Sequence, residues 1–293
     1  MKFRAHETFS IRKGWLNKGI KNIKNNPGVF LGDAGNPMDV LGIGSNMVKA
    51  LRYWMQATNL SKEPNSGHRN QSLTELGKII DEYDPYFEEI GSIDLIHYEL
   101  ATNEDAATAW YIFFNEFGYT EFTEDDFHSS VKKYVRMNTD GDLPSERVVS
   151  DDFKCIINTY YQRKTPEKTN PEDNIGCPVA ELGLVDYLYT KGGSRYYKKV
   201  MIKEALLPDL IALSMIIKNA NGNKEIKLST LLNNSKSLGK VFNLDMVRII
   251  NMLYRLEKKG YVKVIRTAGL DILQILTDMD YYECIRCYYK ELE

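Results

Sequence analysis

Apolar positions along most of this chain recur three and four residues apart, the spacing of a helix with one buried face. In residues 36–60, Val48, Leu51 and Met55 mark such a stripe, while Lys49, Arg52, Tyr53 and Gln56 fall on the other side. Asn36 can cap a short preceding helix with Pro37 in its first position, and Gly42 ends it. Ser45 or Asn46 then caps the second helix. Two helices joined by a tight glycine turn, the second polar and basic outward, form the helix-turn-helix layout. Residues 61–72 are polar, contain Pro64 and Gly67, and carry His68 and Arg69 near their tip, as a wing does. An apolar pattern resumes at LTELGKII.

The same order returns near the other end. KLSTLLNN predicts a short helix and SLGKVFNL a loop or turn. Asp245 can cap the helix MVRIINMLYRLEKKG, with Gly260 as its stop. Met246, Ile249, Ile250, Leu253 and Leu256 form its core stripe; Arg248, Asn251, Arg255, Lys258 and Lys259 lie opposite. YVKVIRT and LDILQIL alternate apolar and polar residues across Ala268-Gly269, a hairpin signature that places Lys263 and Arg266 near a wing.

Between these segments the pattern is helical. Trp15, Leu16, Ile20 and Ile23 give a helix in GWLNKGIKNI. Asn103 can cap EDAATAWYIFFNEF, Thr123 begins TEDDFHSSVKKYVRM, and Ser150 begins SDDFKCIINTY. YLYTKGGSRYYKKV has a Gly-Gly turn between aromatic arms and reads as a hairpin, and EALLPDLIALSMIIKNA reads as a helix. The first residues, KFRAHETFSI, alternate and suggest a strand or extended arm. The expected fold is mainly α with short β wings: two winged-helix units flanking a helical middle region. Residues 1–85 make the arm and first winged helix, 86–190 the middle with a proline-rich polar connection near 162–178, and 191–293 the second winged helix.

Composition changes this picture little. Of 293 residues, 43% are hydrophobic and 27% charged, an ordinary globular balance that excludes disorder, collagen and coiled coil as whole-chain descriptions. No apolar run approaches the roughly 18 residues needed to cross a bilayer, so no membrane association is expected. MKFRAHETFS lacks the apolar region of a signal peptide, and the four cysteines read as reduced thiols in a cytoplasm. The net charge of −2 hides 38 cationic and 40 anionic side chains, so their distribution matters more than their sum.

The two basic helix faces are the strongest chemical signal. Lys and Arg neutralise phosphates, and Asn, Gln and Tyr reach base edges or orient the backbone. Ser45, Asn46, Lys49, Arg52, Tyr53, Gln56, His68 and Arg69 form the first candidate surface. Arg248, Asn251, Arg255, Lys258, Lys259, Lys263 and Arg266 form the second. A solvated helix face is commonly charged as well, and a winged helix can also dock proteins. His6, Glu7 and Arg12 offer a base, a carboxylate and a cation for phosphodiester chemistry, although neighbours on a strand point to opposite faces. The bland alternative has His6 or Glu7 pinning the arm to the body. Cys284 and Cys287 form a lone CxxC, best explained as two cysteines on one helix face. Walker A, GxGxxG, HExxH and GxSxG patterns are missing, so no nucleotide or organic cofactor is expected.

Four strings, FRAHETFSIRKGWL, NPMDVLGIGSNMVKALRYW, PEDNIGCPVAELGL and TAGLDILQI, resemble in order the bacterial domain of unknown function numbered four thousand and seven. The resemblance runs along nearly the whole chain, and its first two strings are the most specific. It implies a link with bacterial DNA phosphorothioation and phage defence, beside a sulfur-transfer protein of the adenylylsulfate-reductase type. One member type nicks a DNA strand so that sulfur can enter the backbone. The resemblance therefore implies a protein acting on double-stranded DNA, with a nicking endonuclease left open, and it assigns no catalytic residue. Mg²⁺ or Mn²⁺ is the cofactor such chemistry would use. A non-catalytic DNA-binding adaptor that recruits the sulfur-transfer enzyme, and a transcriptional regulator of the defence operon, stand as alternatives.

Overall fold

A computed structural model of the chain describes residues 1–33, 35–161, 176–267 and 270–293. The chain is mainly α, about 53% helix with 12% strand in three small sheets. It divides into two compact units, Met1–Lys199 and Val200–Glu293. Among the described residues no helix is long and apolar enough to cross a membrane.

The first unit opens with an N-terminal segment and α1 (Trp15–Asn25), which buries Trp15, Leu16, Ile20 and Ile23 as their spacing predicts. Helix α2 (Pro37–Leu41) is capped by the Asn36 side chain and ends at Gly42 in the left-handed region. Helix α3 (Ser45–Ala57) follows after the turn. Strands β1 (Ser61–Lys62) and β2 (Ser72–Leu73) pair antiparallel beneath the polar loop and lead into α4 (Glu75–Tyr83). Gly77 is required here, because a Cβ would drive into the Leu60 carbonyl oxygen. Helix α5 (Ile90–Thr102) is buried along Gly91–Ala101 and forms the centre of the unit. Helix α6 (Thr108–Tyr111) continues as a π-helical turn, Ile112–Glu116, that sends Phe113 and Phe114 into the core. Helix α7 (Glu124–Asn138) starts with a capping box between Thr123 and Asp126, and α8 (Glu146–Tyr160) is capped by Ser145. Strand β3 (Glu121–Phe122) joins the hairpin β4 (Val185–Lys191) and β5 (Ser194–Lys199) in the order β3-β5-β4.

The second unit has a 3-10 turn at Glu204–Leu206, followed by α9 (Asp209–Ala220) and β6 (Glu225–Lys227). Short helices α10 (Leu228–Asn233) and α11 (Leu238–Val241) precede α12 (Met246–Lys258), capped by the Asp245 side chain. Strands β7 (Val262–Thr267) and β8 (Leu270–Ile275) form a hairpin, and the sheet order is β6-β8-β7. Helix α13 (Tyr281–Leu292), with a capping box at Asp280 and Glu283, packs on α9.

Several local expectations are corrected. The N-terminal segment is not a strand: Arg4, Glu7 and Thr8 are left-handed, and residues 4–8 turn. The alternation fails because burying His6 among aromatic rings requires the backbone to fold around it. Asn103 ends α5, and its side chain caps a turn at Ala106 instead of a long helix. Helix α8 starts at Glu146, ahead of Ser150, because Ser145 offers the earlier cap. Residues 238–241 are helical where a loop was expected, with Ser237 accepting from the Lys240 amide. In α12, Met252 joins the core while Met246 and Ile250 are half-buried. Most of the connection at 162–178 and the Ala268-Gly269 turn lie outside the described residues.

Asp94 on α5 is fully buried, and neither carboxylate oxygen finds a hydrogen-bond partner among the described residues. Burial pushes its carboxyl well above the usual 3.8. A raised folded value contributes stability present below the unfolded pKa and lost as pH rises through the folded one. Asp94→Asn is therefore expected to gain in Tm over wild type as pH rises from the usual 3.8 towards the raised folded value. Thermal melts across that range check it, and a Tm difference independent of pH would contradict it.

Candidate nucleic-acid interface

The N-terminal segment, α3 and α8 meet at His6. The Thr8 amide donates to His6 Nδ1 at 3.0 Å, so the ring proton sits on Nε2 and is donated to Asp152 Oδ1 at 2.7 Å. The Arg4 amide donates to the same oxygen at 2.9 Å, and the Arg4 guanidinium pairs with Asp151 at 2.6 Å. Trp54 stacks on the His6 ring at 6.0 Å, Trp110 meets it edge-on at 5.6 Å, and the Trp54 indole donates to the Phe9 carbonyl at 3.0 Å. Burial pushes the Asp152 carboxyl up, and the His6 and Arg4 hydrogen bonds only partly offset it.

The candidate trio His6, Glu7 and Arg12 does not converge. His6 is 0% exposed with both ring nitrogens bonded, whereas Glu7 is half-buried. The Arg12 guanidinium lies over the rings of Phe9 and Trp15 at 5.7 and 5.6 Å. In this geometry His6 anchors the segment.

The α3 surface is narrower than its helical wheel suggests. Ser45, Asn46 and Lys49 are exposed, and Gly44 holds the cap position, leaving Ser45 and Asn46 free of capping. Arg52 is turned into a polar network. Its guanidinium pairs with Glu63 at 2.5 Å, and Gln56 and Gln71 each donate to the same carboxylate oxygen at 3.0 Å. Burial alone would raise the Glu63 carboxyl, but the hydrogen bonds from Arg52 and Gln71 outweigh it and hold it below its usual value. Tyr53 turns inward, 4.9 Å from the Trp54 ring, and its hydroxyl is pushed well above its ordinary pKa by burial and by Asp152. In the loop beyond β1, Arg69 is exposed and His68 bonds Asp33 at 2.8 Å.

The α12 surface keeps more of its expected members. Arg248, Asn251 and Lys258 are exposed, as is Lys263 on β7. Val247, 65% exposed, and Tyr254, 41% exposed, share this face with Asn251 and Lys258 at a spacing of four, three and four. Both were passed over on the sequence; an apolar and an aromatic residue flanking Asn251 one turn away was the available signal. Arg255 is held by Asp209 at 2.9 Å and by Glu204, which also receives Arg248 at 3.2 Å. Lys259 lies 3.5 Å from Glu291, and Arg266 pairs with Asp271 across the hairpin at 3.4 Å. Cys284 and Cys287 are free thiols on α13, and among the described residues no three His, Cys, Asp or Glu side chains converge as a metal site.

The fold and these surfaces define a mainly helical, two-unit protein carrying a polar, basic helix face in each unit. The chain belongs to the family described as "Protein of unknown function (DUF4007)", which matches residues 3–289. It is similar to a magnesium ion-bound SspB crystal structure, at 27% identity and a TM-score of 0.87, over 99% of this chain and 88% of that one. It is also similar to a second SspB crystal structure, at 27% identity and a TM-score of 0.83, over 99% and 87% of the two chains. No curated protein matches the chain.

Arg52→Ala is expected to lower Tm through the loss of its partner's network. The Glu63 value is depressed on folding, so its contribution is present above the usual 4.5 and lost as pH falls through the lowered value. The Tm gap between wild type and Arg52→Ala should be full at pH 7 and close in acid. A gap unchanged down to pH 3 would show that the ion pair is not its origin.

Proposed function

We propose that this chain is a winged-helix, double-stranded-DNA-binding protein of a bacterial DNA phosphorothioation and phage-defence system, nicking one strand so that sulfur can enter the backbone. The observation that carries this reading is the arrangement of the second unit. A helix, a short strand, two short helices and an exposed polar helix lead into a hairpin whose returning strand lies between the other two. That order supports a recognition helix with a wing. Helices α2 and α3 with the β1–β2 ladder support a second, smaller instance. Likeness to SspB over nearly the whole chain supports the phosphorothioation setting.

The surface residues assigned to DNA are those left solvated: Ser45, Asn46, Lys49 and Arg69 in the first unit, and Val247, Arg248, Asn251, Tyr254, Lys258 and Lys263 in the second. The lysines and arginines would engage phosphates, and Asn251 and Tyr254 would reach deeper. Arg52, Tyr53, Gln56 and Arg255 serve the fold. The SspB relative is magnesium-bound, and magnesium is held by one or two carboxylates, water and substrate phosphates. The described side chains supply no protein cage for it, so no step is assigned to a metal.

A second reading, an adaptor that binds DNA and recruits an adenylylsulfate-reductase-like sulfur-transfer enzyme, is favoured by the sealed position of His6. The two readings separate on one experiment. Purified protein is incubated with supercoiled plasmid in Mg²⁺, Mn²⁺ or EDTA, with duplex binding measured in parallel. Metal-dependent open circles support the nickase, and retention of DNA without nicking supports the adaptor. Lys49→Ala, Lys258→Ala and Lys263→Ala are each expected to weaken duplex binding and reduce the salt slope by about one unit, with Tm unchanged. Binding unchanged in the triple variant would remove both surfaces from the reading.

A further inference from the structure

A cavity of about 620 Å³ opens in the first unit between α8, the start of α7 and the β4–β5 hairpin. No part of the duplex-binding reading uses it. Its volume falls in the range of about 300–1,000 Å³ found for small-ligand sites. Three kinds of group line it, and they sit on different elements.

The first is aromatic. Phe153 of α8 and Tyr197 of β5 lie 6.0 Å apart at 71°, and Tyr161, just past α8, lies 6.4 Å from Tyr197. The second is cationic. Lys154 on α8 and Arg195 on β5 line the cavity, and both are exposed. The third is a set of acceptors and mixed groups. Glu124 and Asp125 project from the first turn of α7, and Asn158 stands one turn along α8 from Lys154. In the hairpin that carries Arg195, Gly192 and Gly193 both take positive φ, 59° and 83°, as a two-residue primed turn requires. Tyr189 and Tyr196 stack at 4.8 Å on its other face.

These groups discriminate among ligand classes. A simple anion would meet Glu124 and Asp125 as well as the cations. An apolar ligand would make no use of these four charged groups, of which, among the described residues, only Glu124 has an ion-pair neighbour on its own helix, His128 at 3.7 Å. A nucleotide uses all three sets: its base lies against Tyr161, which is half-buried where Phe153 and Tyr197 are buried, its phosphate meets Lys154 and Arg195, and an exocyclic amino group meets a carboxylate or the Asn158 amide. In a duplex the base faces are covered by stacking and those edges are paired, so the nucleotide must be unpaired. We propose that this cavity binds an unpaired nucleotide of a DNA strand, a base with an exocyclic amino group fitting its acceptors. The proposal rests on the reading of the chain as a DNA-acting protein and adds a single-strand site to it.

The test is fluorescence anisotropy of the full chain with a labelled mixed-sequence single strand, and separately with the duplex formed from it. Wild type, Lys154→Ala/Arg195→Ala and Tyr161→Ala are compared, with Tm measured for each. The double variant is expected to bind the single strand about 10-fold more weakly, with duplex affinity within about 2-fold of wild type. Tyr161→Ala should act in the same direction, and Lys154→Arg/Arg195→Lys should restore most of the affinity. Absence of single-strand binding by wild type, or single-strand binding unchanged in both alanine variants, overturns the cavity site whatever the duplex shows. Loss of duplex binding alone would overturn the duplex interface and leave the cavity standing.

Discussion

The hydrogen bond from His6 to Asp152 is the contact on which the first unit is organised. It ties the first turns of the chain to α8, a separation of 146 residues, inside a site closed to water. Trp54 rests on the imidazole and in turn bonds the Phe9 carbonyl, so the placement of α3 depends on the same point. A histidine held this way is costly to bury unless every polar atom is matched, which explains the left-handed backbone at residues 4, 7 and 8 that brings the Thr8 amide onto Nδ1. With both ring nitrogens bonded, the imidazole holds the segment to α8.

The second constraint is electrostatic. A helix face with four cations need not present four cations to a ligand. Glu63 removes Arg52 from the α3 surface, and Glu204 with Asp209 removes Arg255 from that of α12. What remains exposed is a sparser set, led by Lys49 on one face and Lys258 with Lys263 on the other. Internal neutralisation orients the helices, and the residual lysines keep charge available at the surface. A net charge of −2 thus coexists with local faces that keep exposed cations.

Much of the framework was legible in the residues. Asn36-Pro37, Thr123, Asp245 and Gly260 announced helix ends that the structure keeps, and Gly192-Gly193 announced a hairpin. These are local devices, in which one side chain or one backbone angle settles the outcome. The alternation over KFRAHETFSI, which suggested a strand or an extended arm, meets no sheet partner; the decisive contact comes from Asp152 in a distant helix. The ion pairs of Arg52 and Arg255 are equally invisible in the residues, since Glu63 and Glu204 become neighbours only on folding. The cavity beside the hairpin was out of reach altogether, because Glu124, Lys154 and Arg195 belong to three separate elements.

The central claim is that the exposed lysines Lys49, Lys258 and Lys263 meet DNA, and that Arg52 and Arg255, held by their carboxylate partners, do not. Lysine acetylation footprinting of the full chain with and without duplex DNA, read residue by residue by mass spectrometry, tests it directly. Lys49, Lys258 and Lys263 are predicted to lose reactivity on addition of duplex, while Lys24 and Lys78, paired with Asp81 and Glu75, keep theirs. Unchanged reactivity at Lys49, Lys258 and Lys263 in the presence of saturating duplex would contradict that claim.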